Sequence, residues 1–283
     1  MTAVLAFIRS LGLKTVRPAL YGWFFNFAFS FLIYYGFYKA FILSAGETLV
    51  IRDNGESLNV FNILMDAIRY SKGNLVLIFS FALILVAGYL LVSIYVSGGI
   101  YSVLVDNERT TFTNLIGDST LNFFDMAKIA AINLLTLLVS LIVPVLLLVV
   151  LRIFSHGKIE FVDNLLGGYF MWIWLAVTAL CLSFTIAVYD FSRIFKLKNA
   201  GNVWLSFKQG LKYIFSNPFN VLIIFLLYAL LLVIFSLIFY IFMDFAGHLL
   251  YSWMIFLFYQ LFIMARYYLK VVVIRAEIKL VSE

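Results

Sequence analysis

Charge is what this chain has least of. Only 12% of its 283 residues are Asp, Glu, Lys or Arg, about half the share of an ordinary soluble domain. A soluble fold of this length would show water far more charge, so most of the chain must lie in lipid or against other apolar segments. Cysteine is nearly missing too. Cys181 stands alone, which excludes an intramolecular disulfide, and its place inside an apolar run makes it a small packing residue. Histidine occurs only at His156 and His248. There is no HExxH, histidine pair, CxxC, P-loop or dinucleotide glycine signature, so no catalytic residue, metal or cofactor is expected. An aromatic-and-basic soluble module that would read nucleic acid is also lacking.

What the chain has instead is apolar length. Hydrophobic residues make up 65% of it, with 31 Phe and 17 Tyr, and the mean hydropathy is +1.07. Six intervals carry no charge at all: 18–38, 73–105, 129–151, 165–189, 213–243 and 245–265. The clearest, PFNVLIIFLLYALLLVIFSLIFYIF from Pro218 to Phe242, exceeds the roughly 30 Å hydrocarbon core at 1.5 Å per residue. The runs are continuous, without the in/out alternation of a lipid-facing barrel, so helices are expected. The reading is an all-α, polytopic integral membrane protein forming one domain over 1–283. Its six spans are placed near 20–43, 75–98, 129–151, 166–189, 218–242 and 248–269, the first reaching past Lys39, whose stem snorkels.

Lysine and arginine set the orientation. Lys39, Arg52, Arg69, Lys72, Arg152 and Lys158 fall on one side, and the other fourteen of the twenty fall on the side that holds both termini. The positive-inside rule makes that side cytoplasmic. The location expected is a prokaryotic plasma or inner membrane. The net charge of +6 then reflects lysines and arginines beside anionic lipid.

Amphipathic connectors are expected between spans. In the first exterior loop, Asp53-Asn54-Gly55 signals a turn beside a short strand at Thr48–Ile51. After it, 58–71 places Phe61, Leu64, Met65 and Ile68 on one helical face. On the other side, 204–216 places Trp204, Phe207, Leu211 and Phe215 on one face and Lys208 and Lys212 on another, with Asn217-Pro218 at the next junction. A less regular version over 110–124 is expected to break near Gly117. Shifted by 146 residues, Phe61–Phe79 aligns without a gap on Phe207–Phe225. This correspondence between 58–79 and 204–225 is either an inverted repeat or a recurring interfacial-helix-to-span unit.

With no charge at a bilayer midpoint, the deepest polar residues become the candidates. Asn26, Ser30, Asn133 and Gln260 are candidate ligand or cavity positions, with interhelical hydrogen bonding as the structural alternative. Pro144, within the third span, is expected to bend the helix or open a local carbonyl. Arg193, Lys196, Lys198, Lys208 and Lys212 form a candidate surface for anionic lipid or an acidic cytoplasmic partner.

The order of spans, the 58–79 and 204–225 segments and the Gly98-Gly99 break after a span resemble the membrane domains attached to some bacterial glycerophosphodiester phosphodiesterases, and related standalone membrane proteins. The resemblance carries no catalytic residue and implies membrane integration or handling of lipid-like molecules. Three functions remain open: transport or handling of an amphiphile, a non-enzymatic scaffold recruiting a cytoplasmic partner, and an oligomeric channel. Membrane lipids are partners in all three.

Overall fold

A computed structural model of the chain describes residues 2–45, 75–106, 111–154, 169–199, 201–246 and 252–282. These residues form eight helices: α1 (Ala3–Ile8), α2 (Leu13–Ala45), α3 (Leu75–Val105), α4 (Phe112–Phe154), α5 (Tyr169–Asn199), α6 (Val203–Ser216), α7 (Pro218–Ala246) and α8 (Ser252–Ser282). The Thr48–Ile51 strand, the turn at Asp53, the 58–71 helix, both histidines and the Lys39 side chain lie outside what is described. Most of one half of the 146-residue correspondence, 58–74, therefore does as well.

Five helices are long and apolar enough to cross a membrane, over Leu83–Val105, Phe112–Val150, Trp172–Asn199, Pro218–Asp244 and Met254–Ser282. No more than 28% of the most apolar part of any of them is buried in protein. Their side chains therefore need lipid, since water would leave rows of Leu, Ile, Val and Phe uncovered.

Several helices run past the expected spans, and each extension has a cause. The 110–124 segment and the third span merge into the 43 residues of α4, about 64 Å at 1.5 Å per residue. The expected break at Gly117 does not occur. Thr111 Oγ1 accepts from the Asn114 amide, starting the helix upstream, and a single exposed glycine costs only about 1 kcal/mol against alanine. Gly98-Gly99 does not break α3 either, because the pair is a packing surface. At Gly99 a Cβ would collide with the Leu115 carbonyl and Ser119 Oγ of α4. Asn202 caps α6 by accepting from the Trp204 amide at 3.3 Å, and Pro218 opens α7 in the first turn, where its missing N–H is harmless.

The chain divides into two compact units, Met1–Gly22 with Ile94–Glu283, and Trp23–Ser93. In the smaller unit α2 meets α3 through Phe29 and Tyr89, whose ring centroids are 5.9 Å apart. In the larger unit most of the buried residues of the long helices gather at one end of each. They lie near the start of α2, α4 and α7 (Ala19, Leu115, Val221) and near the end of α3, α5 and α8 (Tyr101, Val188, Ile274). That alternation is what up-and-down helices joined by short connections produce. Tyr101, Val188, Phe191, Ile194, Ile214 and Ile274 share one cluster there. A second cluster seats Ala3, Ala6 and Phe7 of α1 on Val272, Val273, Ala276 and Leu280 of α8. Lys279 Nζ also donates to the Arg9 carbonyl at 2.6 Å. Both chain termini thus meet at this end.

α6 lies across the same end. Its buried stripe is Val203, Ser206, Gly210 and Ile214, while Trp204 and Phe215 remain exposed. This corrects the face read from the sequence, of which only Phe207 and Leu211 pack inward. Small residues decide the difference: a Cβ on Gly210 would sit 3.0 Å from the Ser192 amide nitrogen, so the helix approaches α5 on its smallest side.

Candidate functional site

The polar residues within the spans mostly satisfy one another. Asn26 accepts from the Tyr89 hydroxyl at 2.7 Å, while Ser30 is exposed. Ser140 Oγ and Thr185 Oγ1 are 2.9 Å apart, joining α4 to α5. Each also donates or leans back toward its own helix, Ser140 to the Leu137 carbonyl and Thr185 to that of Cys181. Asn133 Oδ1 is buried without a partner, and Gln260 is half-buried on α8.

α4 continues through Pro144, and the carbonyl of Pro144 accepts from Trp174 Nε1 of α5 at 3.2 Å. The proline therefore marks a helix–helix bond. Trp174→Phe should lower stability in detergent by about 0.5–1.5 kcal/mol, the range of one interhelical hydrogen bond. An unchanged unfolding midpoint would show that the bond contributes nothing.

The five cations separate into two groups. Arg193 is only 4% exposed, which removes it from any surface. Its guanidinium lies 3.5 Å from the Tyr189 ring centre and 5.1 Å from that of Tyr101, and it donates to the Tyr189 hydroxyl. Lys196 pairs with Asp125 of α4 at 3.0 Å and donates to the Gly201 carbonyl. Lys198 donates to Ser282 Oγ of α8 at 2.6 Å. Lys208 and Lys212 alone are exposed, on α6, with Lys208 Nζ 5.5 Å from the Trp204 ring centre. The expected basic surface thus reduces to two lysines and a tryptophan, because the others are used to tie α4, α5 and α8 together.

Arg193 belongs to a buried polar cluster that the sequence reading did not find. Tyr101 of α3, fully buried, donates to Asp190 Oδ1 of α5 at 2.5 Å. Glu277 of α8 is 0% exposed, and neither of its oxygens has a partner. Asp190 and Tyr101 are its electrostatic neighbours. All lie beyond the spans 75–98, 166–189 and 248–269 expected from the sequence. One signal was available: Ile274, Glu277, Ile278 and Val281 fall at i, i+3, i+4 and i+7, which sets the acid inside an apolar stripe. Ile274 and Ile278 are indeed core, with Val281 packed against them.

A different feature lies toward the opposite end of α7 and α8. Val233, Ser236, Phe239, Tyr240, Met243, Tyr259 and Phe262, with Leu237, line an open groove of about 470 Å³. Phe239 packs on Tyr259 and Phe262 with centroids 5.0 and 4.7 Å apart, forming an aromatic wall. Ser236, Tyr240 and Tyr259 are the hydroxyl-bearing residues of an otherwise apolar lining. None of Asn26, Ser30, Asn133, Pro144 or Gln260 lines it.

Fold and sites together define an all-α, polytopic membrane protein with five candidate spanning helices. Comparison of the chain with protein-family models, with curated proteins and with solved structures found no match.

Proposed function

We propose that this is a six-span membrane protein that handles or transports a lipid-like or amphiphilic small molecule. The observation that carries the reading is the aromatic groove between α7 and α8, whose apolar wall and three hydroxyls suit a molecule with a greasy body and a polar end. Its aromatic side chains stand among residues exposed to lipid, Ile238 and Ile241 included, so an amphiphile reaches it from within the bilayer.

The count of six rests on the termini. The packing of α1 on the last turns of α8 supports a reading in which both ends of the chain share one side and the crossings are even in number. The 33-residue α2, with its charge-free 18–38 interval, supplies the sixth. The excess of lysine and arginine on that side makes it cytoplasmic. Lys208, Lys212 and the exposed Trp204 then face anionic headgroups. The resemblance to phosphodiesterase-linked membrane domains points toward lipid handling as well.

Reconstitution into liposomes with fluorescent phospholipid and amphiphile tracers tests this. The expected result is tracer movement above the protein-free rate, returned to near that rate by Ser236→Trp, which fills the groove, in a variant that still folds. Equal rates with and without the wild-type protein would count against the proposal.

A further inference from the structure

Glu277 breaks the usual rule for buried charge. Asp190 is buried as well, but it has the Tyr101 hydroxyl as a donor. Glu277 has neither a donor on its oxygens nor an ion pair. The Arg193 guanidinium, which shares Tyr101 with the cluster, is turned to the faces of Tyr101 and Tyr189. A carboxylate taken out of water without partners stands several kcal/mol above the neutral acid, and a second carboxylate beside it widens the gap. The two buried acids therefore differ in their partners: Asp190 has a donor and Glu277 has none.

We propose that Glu277 is a proton-binding site: the folded chain holds its carboxyl neutral while Asp190 carries the charge, and ionisation of Glu277 loosens the last turns of α8 from Tyr101 and Phe191. The ligand is a proton, taken from and returned to water as the carboxyl binds and releases it.

The groups around the site are accounted for on each element. α3 offers Tyr101, and α5 offers Asp190, Arg193 and Lys198, the last reaching the Ile278 carbonyl at 3.4 Å. α6 offers Tyr213, whose hydroxyl donates to the Leu280 carbonyl at 3.1 Å. α7 offers Tyr228, which feels Arg266 and Asp190. α1 packs on α8 with Ala3, Ala6 and Phe7 and brings no titratable side chain. On α8 itself, Arg275 and Lys279 stand half-buried two residues to either side of Glu277, Lys279 donating to the Arg9 carbonyl, while Lys270 and Arg266, both exposed, lie about two and three turns toward the span.

The sign follows from proton linkage. An unfolded glutamate ionises at about pH 4.3, so above that pH the folded chain binds a proton that the unfolded chain has released. Stability then falls as the pH rises.

Infrared spectroscopy of the full chain in nanodiscs, in H₂O and D₂O, tests the site directly. A deuterium-sensitive stretch of a protonated carboxyl is expected at neutral pH, lost in Glu277→Gln and kept in Asp190→Asn. The unfolding temperature of the wild type should fall with rising pH, and that of Glu277→Gln should fall less. If Glu277→Gln does not fold, Glu277→Leu carries the assignment, and the wild-type pH series decides whether the band is there at all. A wild type without the band, or a band that survives removal of the Glu277 carboxyl, overturns the proposal.

Discussion

Tyr101→Phe should destabilise the protein in detergent by about 1.5–3 kcal/mol, the range of a hydrogen bond to a charged group. The substitution keeps the ring, which is fully buried and carries the Arg193 guanidinium over one face. Only the hydroxyl that donates to Asp190 at 2.5 Å is lost. The carboxylate then stays buried without its donor, and that unmet need is the larger part of the effect. Removing both partners tests this explanation. Tyr101→Phe combined with Asp190→Leu should be less destabilising than the sum of the two single changes, because no polar group is left to desolvate. Denaturant unfolding of the four proteins gives the coupling, and a value near zero would show that the bond does not hold α3 to α5.

Gly99→Ala should cost about 1–3 kcal/mol, in the range of overpacked interiors, with Gly99→Val costing more. The new Cβ would meet the Leu115 carbonyl and Ser119 Oγ. Ser119 Oγ is the end of a short side chain, but the carbonyl is backbone and moves only with α4. The two helices must separate where Leu115 and Val103 are buried. Gly117→Ala is the control, at a site on the facing helix, α4, where nothing lies within 4 Å. It should stabilise α4 by up to about 1 kcal/mol through helix propensity alone. Equal unfolding temperatures for the two alanine variants would mean that α3 and α4 do not approach as closely as described.

The residues explain which readings of the sequence survived. Long charge-free runs were enough to place α3, α4, α5, α7 and α8, since a bilayer leaves a backbone little choice but helix. Their ends were not legible, because leaving the membrane does not end a helix. Glu277 and Arg193 stand in continuous helix because apolar neighbours on the same stripe are packed by other chain segments. The α6 face was misread for a related reason. Hydrophobicity favoured Trp204 and Phe215, but Gly210 allows a close approach to Phe191 and Ser192. The amides read as candidate ligands fared differently from one another: Asn26 meets Tyr89, whereas Asn133 keeps an unpartnered oxygen. Spacing along the chain does not encode which helix stands opposite.

Composition alone determined that this chain belongs in a membrane as several apolar helices, because transfer out of water depends on what the side chains are and hardly on their partners. Only the tertiary structure decided that the packed core lies at the end where the termini meet. The same is true of the burial of Arg193 with Asp190, Tyr101 and Glu277, and of the groove between α7 and α8. Those features depend on which helix end meets which, and on small residues such as Gly99 and Gly210 that let backbones approach. Hydrophobicity cannot specify such contacts in lipid, where every apolar face is equally at home.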